Sequence, residues 1–183
     1  MTGQPLALLF IVALTAIWPS KEATVEAKRP RIPLVIDEAH EGDLKFVWSS
    51  WKHSAADAPK NHKLVQAGRV GEHFTRYNER VERVMDSPAL ILVAREPTDP
   101  QFIYGWIAAH VTPDVALLYQ YTKGKYRRLG VARSLKDAVL REAPESARRF
   151  YCDSTIHDAM FESWGFTFRH VDDVLGRKTR RRA

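Results

Sequence analysis

Lys123, Lys125, Arg127 and Arg128 crowd into a short stretch that ends in Gly130 and Ala132. Before it runs Val115-Ala-Leu-Leu-Tyr-Gln-Tyr121, with the length and composition of a buried strand. After it, Val131, Leu135, Ala138 and Val139 recur at helical spacing. A strand-to-helix joint of this kind offers the unpaired N–H groups of the helix's first turn and the partial positive charge of its N-terminus. Small residues there let a ligand approach the backbone. Together these features suit the holding of phosphate oxygens.

Two nucleotide signatures are absent. No Gly-Lys-Ser/Thr follows the first glycine at the P-loop distance, and Gly124 to Gly130 does not fit Gly-x-Gly-x-x-Gly. Arg127-x-x-Gly130-x-Ala132 instead resembles the Arg/Gln-x-x-Gly-x-Gly/Ala signature of the GCN5-related N-acetyltransferases, whose loop amides cradle the coenzyme A pyrophosphate. A second match is Ala159-Met-Phe-Glu-Ser-Trp-Gly-Phe166, which resembles the family's closing Tyr-x-x-x-Gly-Phe segment. Phe161 stands where the family often has a tyrosine that protonates the departing thiolate, and Ser154 where it often has a coenzyme-contacting asparagine.

The elements that must position these residues follow from periodicity. Leu34-Val-Ile36 predicts a short strand, and Asp43 precedes a helix carrying Leu44, Val47, Trp48 and Trp51. Lys52 to Val70 has no period and predicts a long loop of the kind that often binds ligands. Glu72 to Met85 predicts a second helix with Phe74, Tyr77, Val81, Val84 and Met85 on one face, ended by Ser87-Pro88. Residues 89–94 and 102–109 flank a Pro-Thr-Asp-Pro turn and predict a hairpin. After the phosphate-site strand and helix, 149–153 predicts a strand. Thr155 can cap a helix presenting Ile156, Ala159, Met160 and Trp164; Gly165 closes it and 166–169 returns as a strand. The fold class is therefore α/β, in the order β-α-α-β-β-β-α-β-α-β. That is the acetyltransferase order, a central mixed, mostly antiparallel sheet flanked by helices, and the resemblance covers about Leu34 to Val171.

The resemblance implies direct acyl transfer from acetyl-CoA, as co-substrate, to an amine on a small molecule or a protein, with no metal. It implies coenzyme contacts from the backbone of Tyr121 and Thr122, from Arg127, Arg128, Leu129, Gly130, Val131 and Ala132, and from Ser154. Proton transfer would fall to Tyr119, Tyr121, Cys152 or Asp153 on the two neighbouring strands. Each also has a plain reading as packing, and His53, His62 and His73 read as solvated. No His/Cys cluster has zinc spacing and no nucleophile elbow appears. The competing class is a non-catalytic scaffold or virion-associated protein that keeps the fold. Phe46-Val-Trp-Ser-Ser-Trp51 and Tyr119-x-Tyr-x-Lys123 are also similar to small acetyltransferase-like proteins carried by bacterial viruses.

The chain has 183 residues, 45% of them hydrophobic, which is enough for one domain with a real core. Its formal charge of +6 is concentrated at the ends. Arg177, Lys178, Arg180, Arg181 and Arg182 crowd the C-terminus and Lys21 to Arg31 is basic, so residues 32–176 are close to neutral and present no nucleic-acid face. The single Cys152 excludes an intrachain disulfide and fits the cytoplasm. Leu6 to Trp18 is apolar over about thirteen residues, fewer than the roughly twenty of a spanning helix. A membrane anchor, a docking helix and a translated extension all remain open for it. The expected organisation is an N-terminal segment with a charged linker (1–31), an acetyltransferase-like domain (32–176) and a basic tail (177–183). The tail has too many like charges to pack. A chain ending at Gly176 should melt within a few degrees of the full one by differential scanning calorimetry.

Overall fold

The computed structural model describes residues 31–56, 70–152 and 158–176. They form a six-stranded sheet in the order β1 (Val35–Glu38), β2 (Leu90–Glu96), β3 (Asp99–Thr112), β4 (Asp114–Thr122), β5 (Arg149–Tyr151) and β6 (Thr167–Phe168). β1 to β4 pair antiparallel, whereas β4 with β5 and β5 with β6 are parallel. The helices are α1 (Glu41–Ala56), α2 (Val70–Met85), α3 (Val131–Arg141), α4 (Asp158–Ser163) and α5 (Val171–Leu175). The expected order is borne out, with one short helix, α5, added after the last strand.

Helices cover both faces of the sheet, so β2 to β4 read as unbroken apolar runs. On one face Val47, Trp51 and Ala55 of α1 and Tyr77, Val81 and Val84 of α2 pack on Val93, Trp106, Leu118 and Tyr119. On the other, Val131, Leu135, Ala138 and Val139 of α3 and Phe161 of α4 pack on Leu92, Ile107, Val115 and Leu117. Gly105 of β3 marks a close approach between backbones: a Cβ there would collide with Tyr121 O on β4.

Several local expectations are corrected. Asp43 lies inside α1, whose first turn begins at Glu41; its carboxylate accepts from His40 N–H (3.0 Å), as an acid does at the third position of a capping box. α1 continues to Ala56, so the aperiodic stretch after Lys52 is helical at its start, and residues 57–69 lie outside the described residues. α2 starts at Val70, two residues earlier than expected, and β5 stops at Tyr151. Trp48 is only half-buried while Trp51 is fully enclosed. In α4 the face is turned from the one expected: Phe161 is buried and Ala159 is exposed, because Phe161 stacks on Tyr151 of β5 (5.0 Å, 15°). Thr155 and Ile156 lie outside the described residues. The helix end follows expectation, with Phe166 N–H donating to Phe161 O and Gly165 N–H to Glu162 O, the paired bonds of a Schellman ending.

A buried ion pair fixes α1 to the sheet. Arg95 of β2 and Asp43 are 4% and 5% exposed. Arg95 Nη1 donates to Asp43 Oδ1 (3.0 Å) and to Pro100 O (3.0 Å), and its Nη2 donates to Asp43 Oδ2. Burial alone would raise the Asp43 pKa, but the Arg95 bonds, His40 N–H and the charges of both partners outweigh it and hold the carboxyl below its ordinary range. A depressed folded pKa means that the pair's stabilisation is complete above the unfolded value of about 3.9 and disappears as pH falls through the lower folded value. Arg95→Met should cost about 3–5 kcal/mol, because it strands a buried carboxylate. Urea denaturation at neutral pH should show that loss, and the gap between variant and native protein should narrow below about pH 4.

Candidate coenzyme site at the end of strand four

The site starts from one extra residue. Against β3, Ala109 faces Leu117 and Ala108 faces Tyr119, so Leu118 is inserted as a β-bulge. The alternation of β4 changes there: Leu118 and Tyr119 both enter the α1–α2 core, while Leu117 enters the α3 core. Up to the bulge, β4 is bonded to β5, through Val115 N–H to Arg148 O (2.8 Å) and Cys152 N–H to Leu117 O (2.8 Å). Beyond it β5 has ended, and among the described residues no strand pairs with the β5-facing edge of residues 118–122. Lys123 N–H donates to Tyr104 O (2.9 Å), which sets the phase of the upper ladder. By the alternation of an antiparallel pair, Tyr119, Tyr121 and Lys123 bond to β3 there. Gln120 and Thr122 therefore turn their backbone groups to the open edge, and the backbone of Tyr121, expected at that edge, faces β3.

The open edge leads into the basic joint. Gly124–Tyr126 forms a 3-10 turn, closed by Tyr126 N–H to Lys123 O (2.9 Å) and pinned where the Tyr126 ring meets Tyr104 (4.7 Å) and Phe102 (5.8 Å). Arg128 (φ 67°) and Gly130 (φ 92°) are both left-handed, which curls the chain around Leu129. The N–H groups of Arg128, Leu129 and Gly130 take no partner among the described residues. Those of Val131 and Ala132 belong to a first helical turn that no side chain caps. This is a loop, or nest, of unpaired amides leading into a helix N-terminus, an arrangement suited to an anion. Arg127 and Arg128 are exposed beside it, and Arg127 Nε donates to Thr122 O (3.3 Å).

Two residues outside the expected set also build the site. Gln120 Nε2 donates to Ala132 O (2.7 Å), tying the open strand to the first turn of α3. Arg31 lies against the nest: a Cβ on Gly130 would sit 3.2 Å from Arg31 Cγ, and Ile32 N–H reaches Leu129 O (3.4 Å). Gly130 thus has two structural reasons to be glycine, its positive φ and the Arg31 stem, besides any ligand. No periodicity pointed to either residue, since Gln120 sits in an apolar run and Arg31 in a charged linker.

The proton-transfer candidates fall into different surroundings. Tyr119 is buried, its OH 2.8 Å from Ser54 Oγ and its ring stacked on Trp51 (4.9 Å) and Trp106 (5.5 Å). Tyr121 is half-buried, edge-on to Phe46 (6.1 Å), and its OH takes no partner among the described residues. Cys152 is buried where β5 leaves β4, and its C=O accepts from Arg80 Nη2 (3.1 Å). Asp153 and Ser154 lie outside the described residues. Tyr151 is buried beside Phe161, and burial first, then Asp158 and Glu162, raise its pKa and keep the phenol protonated. His53 is exposed and bonds Ser49 O (2.7 Å).

Comparison with protein-family models and with curated proteins finds no match. Among solved structures, the chain is similar to a GNAT-family acetyltransferase from Staphylococcus aureus (18% identity, TM-score 0.40), over 60% of this chain and 64% of that one. It is similar to an aminoglycoside 6'-N-acetyltransferase from Acinetobacter baumannii (18%, TM-score 0.42, 82% and 95% of the two chains). A third similarity is to an aminoglycoside N-acetyltransferase in complex with CoA (16%, TM-score 0.41, 81% and 95%). The chain thus spans less than two thirds of the Staphylococcus protein and nearly all of the other two. At these identities and scores the likeness says nothing of substrate.

The packing of Tyr119 generates a test. Tyr119→Phe keeps the ring stack and deletes the bond to Ser54, so it should lower stability by about 0.5–1.5 kcal/mol in urea denaturation.

Proposed function

We propose that this protein binds acetyl-CoA and transfers its acetyl group to an amine. The observation that carries the reading is the continuity between the open edge of β4 and the nest at 128–132: backbone donors and acceptors suited to an extended amide arm run directly into amides suited to a diphosphate. In this reading Gln120 and Thr122 bind the pantetheine amides. Leu129, Gly130, Val131 and Ala132 bind the pyrophosphate through N–H groups, with Arg127, Arg128 and Arg31 adding charge. Gln120 acts also as a positioning residue, because its side chain fixes the nest relative to the strand.

The reaction is direct attack of a neutral amine on the thioester carbonyl. The C–N bond forms as the C–S bond breaks, the amine loses a proton, and the thiolate gains one. Tyr121, Cys152 and Asp153 are our candidates for moving those protons, and Tyr121 offers an OH with no competing partner among the described residues. Tyr119 is the weakest candidate, since its OH is engaged by Ser54. Ser154 is retained as a coenzyme contact from the family pattern alone. The enclosed stack of Phe161 on Tyr151 favours one second reading, a coenzyme-binding protein without turnover, because the phenol usual at that position is missing.

Calorimetric titration with acetyl-CoA tests the proposal. Arg127→Ala and Arg128→Ala should each weaken binding by roughly fivefold to tenfold, about 1–1.4 kcal/mol, and more at low salt, where exposed charges are less screened. Melting should barely change, since both side chains are exposed. Gly130→Val should abolish binding, but its left-handed backbone will also cost about 1–2 kcal/mol of stability, so the arginine variants are the cleaner arm. Folded protein that takes up no acetyl-CoA would overturn the reading.

A further inference from the structure

Lys123 belongs by sequence to the basic joint, yet it does not stand with the arginines. Its Nζ lies 4.1 Å from the centre of the Phe102 ring and 5.0 Å from that of Phe46, a residue of α1 on the opposite side from α3. Tyr121, two residues earlier on the same face of β4, meets Phe46 edge-on and leaves its OH without a partner among the described residues. Lys123 is half-buried, and burial holds its pKa below the ordinary lysine value. Among the described residues no carboxylate forms an ion pair with it.

A partly dehydrated ammonium needs compensation. Aromatic faces supply some of it, but they carry no net charge and leave the ion unneutralised. The two fully buried charges among the described residues, Arg95 and Asp43, pair with each other. Rings beside a cation that has no counter-ion among the described residues form a wall with one unmet requirement, an anion. The rings suit a flat or apolar body next to that anion.

We infer that Phe46, Phe102, Tyr121 and Lys123 form the acceptor subsite, and that it takes an amine with an apolar or aromatic body and a carboxylate that pairs with Lys123 Nζ. The word acceptor rests on the acyl-transfer reading; the anion subsite itself does not. A coenzyme phosphate is the alternative anion: Nζ stands between Phe46 of α1 and Phe102, whose ring meets Tyr126 of the turn before the nest, and the acetyl-CoA arm of the test separates the two. Polycationic acceptors would bring like charge against Lys123 and should be poor substrates.

The test uses the full chain and 3-phenylpropionate, a carboxylate with an aromatic body and no amine, titrated by calorimetry and by NMR. Lys123→Met should weaken its binding by about tenfold or more, and Lys123→Arg, which keeps the charge, should stay within about threefold of the native protein. Melting curves of both variants establish that they are folded, and the arginine variant keeps the test decisive if the methionine variant is not. Acetyl-CoA affinity should be the same in all three proteins. In turnover, phenylalanine should be preferred to spermidine, with the preference reduced in Lys123→Met. The inference is overturned if 3-phenylpropionate does not bind the native protein or binds Lys123→Met equally well. It is also overturned if Lys123→Met loses acetyl-CoA as Arg127→Ala does, which would assign the lysine to the coenzyme. Binding of 3-phenylpropionate without any binding of acetyl-CoA would keep the anion subsite and remove the acyl-transfer reading.

Discussion

The inserted residue Leu118 sets the geometry on which the candidate site depends. A parallel pair of strands normally satisfies both facing edges along its whole length, which leaves no room for a ligand. Here the bulge changes the phase of β4 at the level where β5 ends. The groups left over are the backbone of Gln120 and Thr122; among the described residues a side chain, Arg127 Nε, reaches only Thr122 O, and no strand pairs with the rest. An extended amide arm is a partner of the right chemistry, because it can continue the ladder as a strand would.

That opening is useful only if both its walls are stiff. On one side Trp51, Trp106 and Tyr119 stack into a single aromatic block, and Trp106 Nε1 and Trp51 Nε1 are satisfied by Ser50 Oγ (2.8 Å) and Tyr77 OH (3.1 Å). Such rings lock α1 and α2 onto the sheet with little freedom left to the strand beneath. On the other side Gln120 joins β4 to α3 directly. The aromatic trio of Phe102, Tyr104 and Tyr126 then holds the 3-10 turn, so the nest follows the strand at a fixed angle. The buried Arg95–Asp43 pair does the same for the start of α1, which carries Phe46 toward Lys123.

The same arrangement separates two kinds of positive charge. Arg127 and Arg128 are exposed and attract anions over a distance set by the ionic strength. Lys123 is partly withdrawn from water between two rings, a setting in which a charge acts at contact range. Neighbours in sequence therefore sit in different surroundings: Lys123, at the end of the strand, packs between rings, while Arg127 and Arg128 in the loop face water.

Much of the fold and part of the site were legible in the residues alone. The helical repeats of α2 and α3, the hairpin turn at Pro97, the Gly165 ending and the basic joint at Gly130 all depend on local interactions, and local interactions are written in short windows of sequence. The tertiary structure alone decided what depends on partners far along the chain. Val115 to Tyr121 is so uniformly apolar that no alternation reveals the bulge, which exists only in register with β3. Asp43 is expected just before α1, and its pairing with Arg95, 52 residues away, is visible only in the fold. The orientation of Phe161 was set by Tyr151, the setting of Lys123 by Phe46 and Phe102, and the place of Arg31 by Gly130. In each case the sequence determined what the side chain can do, and packing across the sheet determined what it meets.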